Sequence, residues 1–112
     1  GSAFWCSDAG LERLFENIRW TQRMNFIDVP TDCPQRDERL GWTGDALAYG
    51  VTAAWNADVR AFFGKWLADL SDAQRADGQF PTVAPLLVAG DDGGPAWADC
   101  GAILPLELYR IY

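Results

Sequence analysis

Histidine is absent from the 112 residues of this chain, and its absence excludes several catalytic arrangements. A Ser–His–Asp or Cys–His site needs an imidazole as its base, so neither can be built from these residues. A zinc site is not predicted, because the three cysteines (Cys6, Cys33 and Cys100) are widely spaced and form no CxxC pair. Acid–base chemistry would therefore depend on carboxylates.

Basic residues are also few, with nine Lys and Arg against sixteen Asp and Glu and a net charge of −7. Nucleic-acid binding needs clustered positive charge, so no nucleic-acid partner is predicted. No apolar run approaches the ~20 residues that cross a bilayer, so no membrane partner is predicted either. The separated cysteines favour free buried thiols over a disulfide, which favours a reducing, cytoplasmic location.

Apolar residues are plentiful at 49%, with six tryptophans and six phenylalanines. This composition excludes intrinsic disorder and predicts a packed core of one domain, or a piece of one. Gly1 and Ser2 resemble an expression scar, and residues 108–112 stop within an apolar helical pattern without a capping glycine. We therefore expect residues 1–112 to be part of a longer domain.

Apolar periodicity predicts four helices and no convincing strand, an all-α fold of antiparallel helical hairpins. The first helix should begin after Ser7 as N-cap and end before Pro30. The second should be opened by Thr43 or Asp45, and its small residues, including Gly50, would let a neighbouring helix approach closely.

The third helix should follow a break at residues 56–58 and end near Ala76, with Gly78 in the left-handed conformation. Residues 79–94 predict a long irregular connection, with a short extended piece at 83–88. Pro95 suits the first turn of a fourth helix, which Pro105 should kink or divide.

The stretch from Asp28 to Asp45, DVPTDCPQRDERLGWTGD, is the default candidate site. It places five carboxylates beside two arginines, and its two prolines predict an ordered loop without regular structure. The charged residues are Asp28, Asp32, Arg36, Asp37, Glu38, Arg39 and Asp45. Trp20 and Asn25, near the end of the first helix, are candidates to line the same cavity.

Three interpretations of this acidic loop are open. Paired carboxylates flanked by tryptophan rings suit glycoside hydrolysis, which needs no cofactor or metal. A divalent-cation site built from Asp28, Asp32, Asp37 and Asp45 is disfavoured, because the DxDxDG spacing of a calcium loop is missing. The third interpretation is a solvated acidic loop with arginine pairs.

The run DVPTDCPQRDERLGWTGDA, residues 28–46, resembles the signature of the bacterial α-L-rhamnosidases of glycoside hydrolase family 78. With lower specificity the resemblance reaches nearly all of residues 10–112, including the Ala96–Asp99 segment and the leucine-rich end. It implies that the chain is the early portion of an (α/α)6-barrel catalytic domain.

The resemblance also implies roles for individual residues. Glu38 matches the general acid that protonates the glycosidic oxygen of a rhamnose-containing glycoside. Five other residues match family positions around the sugar, namely Asp32, Arg36 and Asp45 as hydrogen-bonding groups and Trp42 and Trp97 as aromatic rings.

One departure from the family limits this expectation. The family's general base is a glutamate far downstream, and the only glutamate after Glu38 is Glu107, which lies in the expected fourth helix. We therefore expect this chain to carry only the general-acid half of an inverting site, and alone to be inactive, self-associating or both. Another (α/α)6-barrel glycosidase and a non-catalytic helical assembly or binding module are the alternatives.

Overall fold

The structure, a computed structural model, describes residues 2–87, 97 and 99–112. Its regular elements are four α-helices: α1 (Ala9–Asn25), α2 (Thr43–Asn56), α3 (Arg60–Asp72) and α4 (Cys100–Ile111). Strand-like pairing within these residues is limited to two isolated bridges, so the predicted all-α fold is confirmed. None of the helices found there has both the length and the apolar composition needed to cross a membrane.

Helix α1 begins one residue later than the sequence predicts. The N-cap is Asp8 and not Ser7, because Asp8 Oδ1 accepts the backbone N–H groups of Gly10 at 2.7 Å and Leu11 at 3.3 Å. A side-chain acceptor for two otherwise unpaired amides stabilises the first turn. The helix ends at Asn25, before Pro30, as predicted.

The apolar stripe of α1 is not covered by the other described helices. The only residues of α1 that are buried are Gln22 and Asn25. Three apolar residues that set the helical period are exposed by 37–54%: Leu11, Leu14 and Ile18. Helix α1 is therefore attached through polar side chains near its C-terminal end.

Helices α2 and α4 approach closely at a glycine. A Cβ at Gly50 would lie only 2.6 Å from Leu104 Cδ1, which confirms the predicted role of small residues in α2. Pro105 lies inside α4, yet the helix continues to Ile111 without division. Leu104 and Leu108, both buried, hold the turns on either side of Pro105 against the core, which offsets one lost backbone hydrogen bond. Pro95 lies outside the described residues.

Helix α3 supplies the largest core side chains. Phe63, Trp66 and Leu70 are at most 1% exposed, as its predicted apolar stripe requires. The helix ends at Asp72, four residues before the predicted end. Gly78 has the predicted left-handed conformation (φ +90°), but in a separate turn in which its N–H donates to the Arg75 carbonyl.

Residues 82–84 join the end of the acidic loop to α3. The Ala84 N–H donates to the Gly41 carbonyl at 2.9 Å, and the Thr43 N–H donates to the Thr82 carbonyl at 2.9 Å. The Ala84 carbonyl in turn accepts the indole N–H of Trp66 at 2.8 Å. Of the extended piece predicted at 83–88, the described part shows one bridge, from Val83 to Trp42. Val88 lies outside the described residues.

Replacing Trp66 with phenylalanine should lower the free energy of unfolding by about 2–3 kcal/mol. The substitution leaves the buried Ala84 carbonyl without its donor and removes buried volume. Denaturant unfolding of the complete protein that contains these residues measures the change. Trp55→Phe is the matched control, since Trp55 is 73% exposed and its loss should change stability by less than about 0.5 kcal/mol. Equal changes in the free energy of unfolding from the two substitutions would contradict the role of Trp66 as a buried hydrogen-bond donor.

Candidate active site

The acidic loop is an ordered connection between α1 and α2, as predicted. It is fixed at its first end by an ion pair between Asp28 and Lys65 of α3, with Oδ2 and Nζ 3.0 Å apart. Its last end is fixed by the hydrogen bonds of Gly41 and Thr43 to residues 82–84. Both anchors reach the helix-packed part of the molecule, so the residues between them occupy defined positions.

Asp32 accepts hydrogen bonds within the loop through both of its carboxylate oxygens. Its Oδ1 accepts the backbone N–H of Leu40 at 3.3 Å, and its Oδ2 accepts the thiol of Cys33 at 3.0 Å. Cys33 is buried, whereas Asp32 is half-buried. Since a carboxylate with two donors is held in one orientation, Asp32 is a fixed acceptor at the base of the loop.

Glu38 is paired with Arg36, with Oε2 and Nη2 2.6 Å apart and both side chains exposed. Arg39, the other arginine of the loop, pairs instead with Asp37 at 3.3 Å. The pKa of Arg36 is raised above its ordinary value, first by its contact with the Cys33 thiol and then by the charge of Glu38. Arg36 therefore interacts with both the buried thiol and the Glu38 carboxylate.

Potential metal ligands come together at one place in the described part of the chain. A carboxylate oxygen of Asp32, Sγ of Cys33 and a carboxylate oxygen of Glu38 all lie within 4.8 Å of one another. Two members of the disfavoured cation set, Asp28 and Asp37, form ion pairs with basic side chains elsewhere. Asp28 and Asp37 thus each have a basic side chain as partner, Lys65 and Arg39 respectively.

A cleft of about 310 Å³ lies between the loop, the end of α1 and the start of α2. This volume is within the range of small-molecule sites. Its polar lining includes Gln22, Asn25, Thr31, Asp32, Asp45 and Tyr49. Two predicted site residues therefore share one cleft, Asp32 as a half-buried side chain and Asp45 as an exposed one.

Asn25 lines this cleft as predicted, whereas Trp20 does not. Trp20 is 56% exposed and lies under the guanidinium of Arg23, 4.9 Å from its ring centroid. Gln22 and Tyr49 were not among the predicted site residues. Gln22 carried a usable signal, because it is a polar residue at an apolar position of the helical period of α1.

Two tryptophan rings adjoin the Glu38 side of the loop. The indole N–H of Trp42 donates to the Glu38 carbonyl at 3.3 Å. The rings of Trp42 and Trp97 lie 5.6 Å apart at 85°, the edge-to-face geometry that aromatic quadrupoles favour. The structure thus joins Arg36, Glu38, Trp42 and Trp97 into one connected group beside Asp32.

The cysteines are free, as predicted, but not all are buried. Cys33 and Cys100 are buried, whereas Cys6 is exposed and lies just before α1. The pKa of the Cys33 thiol is raised above its ordinary value, chiefly by its hydrogen bond to Asp32 and then by burial, with Arg36 acting in the opposite direction. Burial is the main cause of the raised pKa of Cys100.

An all-helical unit whose loop carries carboxylates beside tryptophan rings has the features of a helical-hairpin glycosidase domain. The sequence profile of one family, described as the bacterial alpha-L-rhamnosidase 6 hairpin glycosidase domain, matches residues 1–112. The chain belongs to this family, which confirms the resemblance found in the sequence.

Known relatives match almost the whole chain. An alpha-L-rhamnosidase of Streptomyces avermitilis is 49% identical over 91% of this chain, and one of Formosa agariphila is 42% identical over 96%. The crystal structure of the Streptomyces avermitilis alpha-L-rhamnosidase complexed with L-rhamnose covers 95% of the chain with a TM-score of 0.87 and 46% identity. The chain spans only 10–12% of the length of these proteins.

The environment of Cys33 predicts a slow thiol. Cys6 should react with iodoacetamide near pH 8 at least about tenfold faster than Cys33, because the thiolate is the reactive form and Cys33 is both buried and held protonated by Asp32. Asp32→Asn removes the neighbouring negative charge and should speed labelling of Cys33. Mass spectrometry of labelled peptides of the complete protein measures both rates.

Cys6 serves as the internal control in this experiment, since its rate should be the same with and without Asp32→Asn. Cys100 reports general loosening of the core. If Cys33 and Cys100 were accelerated equally by Asp32→Asn, the hydrogen bond to Asp32 would not be the cause of the slow reaction.

Proposed function

We propose that the complete protein containing these residues is an inverting α-L-rhamnosidase that releases terminal α-L-rhamnose from glycosides or polysaccharides. The observation that carries the proposal is the group of Asp32, Arg36, Glu38, Trp42 and Trp97, formed by the loop together with the ring of Trp97, three residues before α4. Family membership and the rhamnose complex of the Streptomyces avermitilis relative support the choice of sugar.

Glu38 is the proposed general acid. Its side chain is 49% exposed, so it can reach a glycosidic oxygen in an open site. In the proposed step the protonated form of Glu38 gives its proton to the departing oxygen as the bond from that oxygen to the anomeric carbon breaks, and Glu38 is left as the carboxylate that pairs with Arg36. Arg36, in contact with the carboxyl oxygen, holds the Glu38 side chain in place.

The remaining residues are proposed to bind the sugar. Asp32 and Asp45 line the cleft and would accept hydrogen bonds from rhamnose hydroxyls. Trp42 and Trp97 would offer ring surface to the apolar C–H side of the sugar. An inverting site also needs a base about 6.5–9.5 Å from the acid, with room for a water between them. Glu107 lies within α4, where it pairs with Arg110, and is not part of the group that carries the proposal.

Residues 1–112 are proposed to be the early portion of a larger (α/α)6-barrel catalytic domain, with the base supplied elsewhere in that domain. The relatives that match this chain are far longer, which supports the proposal. The exposed apolar stripe of α1, with Leu11, Leu14 and Ile18, would then contact other helices of the barrel.

Glu38→Gln should lower kcat of the complete protein on an aryl α-L-rhamnoside by about 10²–10⁴-fold. Glutamine keeps the shape of the side chain but has no acidic proton. The loss should be larger for an alkyl rhamnoside than for a nitrophenyl rhamnoside, whose leaving group needs less protonation. Steady-state kinetics on both substrates, and on a panel of other aryl glycosides, measure these effects.

Asp37→Asn is the matched control, because Asp37 is a fully exposed neighbour in the same loop that forms an ion pair with Arg39. It should leave kcat within about threefold of the original. Unchanged turnover after Glu38→Gln would refute the role of Glu38. If the protein hydrolysed another aryl glycoside in preference to the rhamnoside, the proposed fold and general acid would stand. The proposed substrate sugar would then change from rhamnose to the sugar of that glycoside.

The exposed stripe of α1 favours self-association as a second candidate property of the isolated chain. Leu14 is 54% exposed and Leu11 is 52% exposed, with Trp20 on the same helix at 56%. We expect the 112-residue chain alone to sediment as oligomers and to be inactive, and Leu11→Glu with Leu14→Glu to reduce association. A well-behaved monomer at high micromolar concentration would argue strongly against this property.

A further inference from the structure

The ring of Trp97 occupies the space above Gly44, in the first turn of α2. A Cβ at Gly44 would lie 2.7 Å from Trp97 Cδ2 and 2.8 Å from both Cε2 and Cγ. Real Cβ atoms are essentially never this close to another heavy atom. The ring therefore lies directly on backbone, at a position where any residue other than glycine would displace it or the helix.

Trp97 itself has an unusual backbone. Its φ angle is +61°, a left-handed conformation that is uncommon for a residue with a large side chain. Its carbonyl accepts the N–H of Cys100, the first residue of α4, at 3.0 Å. Such outliers often accompany a functional constraint. Here the left-handed backbone of Trp97 places its ring over α2, where the ring remains 45% exposed.

The backbone beneath the ring has little freedom to move. Thr43, the residue before Gly44, is fully buried, and both its N–H and its hydroxyl donate to the Thr82 carbonyl at 2.9–3.0 Å. The half-exposed ring of Trp97 is the more mobile partner. A side chain at position 44 would therefore push the ring away and separate it from Trp42.

Three other glycines also lie against neighbouring groups, but in the core, and at the first of them, Gly41, a Cβ would meet the Ala84 carbonyl and the Trp66 indole. Gly50 meets the buried Leu104, and Gly101 meets the ring of Phe80, so both serve packing between elements. Gly44 differs because the group it admits is largely exposed and belongs to the candidate site. The absent side chain at Gly44 is thus explained by the site and not by core packing.

We propose that Gly44 is a positioning residue that sets the orientation of Trp97 against Trp42 at the sugar site. This inference rests on the proposed function for its kinetic consequence. Gly44 itself touches no substrate. It acts by leaving room for the ring, so that Trp97 and Trp42 present a fixed aromatic surface to the sugar.

Gly44→Ala in the complete protein should raise KM for an aryl α-L-rhamnoside about five- to tenfold with kcat within about threefold, because stacking binds ground state and transition state alike. Trp97→Ala should raise KM similarly. In the Trp97→Ala background, Gly44→Ala should have no further effect, since the obstructing ring is gone. Gly64→Ala is the matched control: Gly64 lies within α3, and its Cβ would meet nothing within 4 Å.

An equal rise in KM from Gly44→Ala in both backgrounds, or no rise in either, would overturn the proposal. If Gly44→Ala alone fails to fold, the double variant should fold, and its failure would also overturn the proposal. A complete protein without rhamnosidase activity would refute the proposed function only. In that case the melting temperatures still test the positioning role of Gly44, because Gly44→Ala should lower Tm only while Trp97 is present.

Discussion

The arrangement of this chain depends on a short stretch of backbone pairing between residues 41–43 and 82–84. It gives the first amide of α2 an acceptor, although Trp42, the N-cap residue, makes no capping hydrogen bond with its side chain. Trp66 then ties the same segment to α3 through the Ala84 carbonyl. Because one segment serves the loop, α2 and α3 together, the candidate site inherits its rigidity from the core.

The acidic loop shows how a strongly negative segment is kept in one conformation. Each described carboxylate from Asp28 to Glu38 has a nearby partner: Lys65 for Asp28, backbone and thiol for Asp32, and arginines for Asp37 and Glu38. Exposed ion pairs contribute little stability singly. The half-buried Asp32 contributes more to order, since its hydrogen bond with Leu40 joins residues eight positions apart. The conformation of the loop therefore depends more on its half-buried residue Asp32 than on its exposed ion pairs.

Helix positions could be predicted from the sequence because apolar spacing and loop-forming prolines are local signals. The end of α1 before Pro30 and the break between α2 and α3 follow from them. Composition made residues 28–45 the candidate site, and the resemblance of residues 28–46 to a family motif supplied the residue roles. No local signal predicted that Arg36, and not Arg39, pairs with Glu38. The left-handed Trp97 and its contact with Gly44 depend on two segments that are distant in sequence, so no periodicity encodes them. The N-cap at Asp8 was missed because adjacent serine and aspartate are both good caps.

The way α1 is attached has a consequence for how a larger helical domain could assemble. Gln22 accepts from Tyr49 and Asn56 through one oxygen, at 3.2 and 3.0 Å, and donates to the Ala53 carbonyl at 3.3 Å. Hydrogen bonds are directional, whereas apolar contact tolerates sliding and rotation. The rotation of α1 about its own axis is thus restrained by a few polar atoms at one end, beside the ring of its C-cap residue Phe26, which stacks on Phe62. The side of α1 that carries Leu11 and Leu14 is thereby held facing outward, so a helix that packs against it would meet it in one fixed orientation.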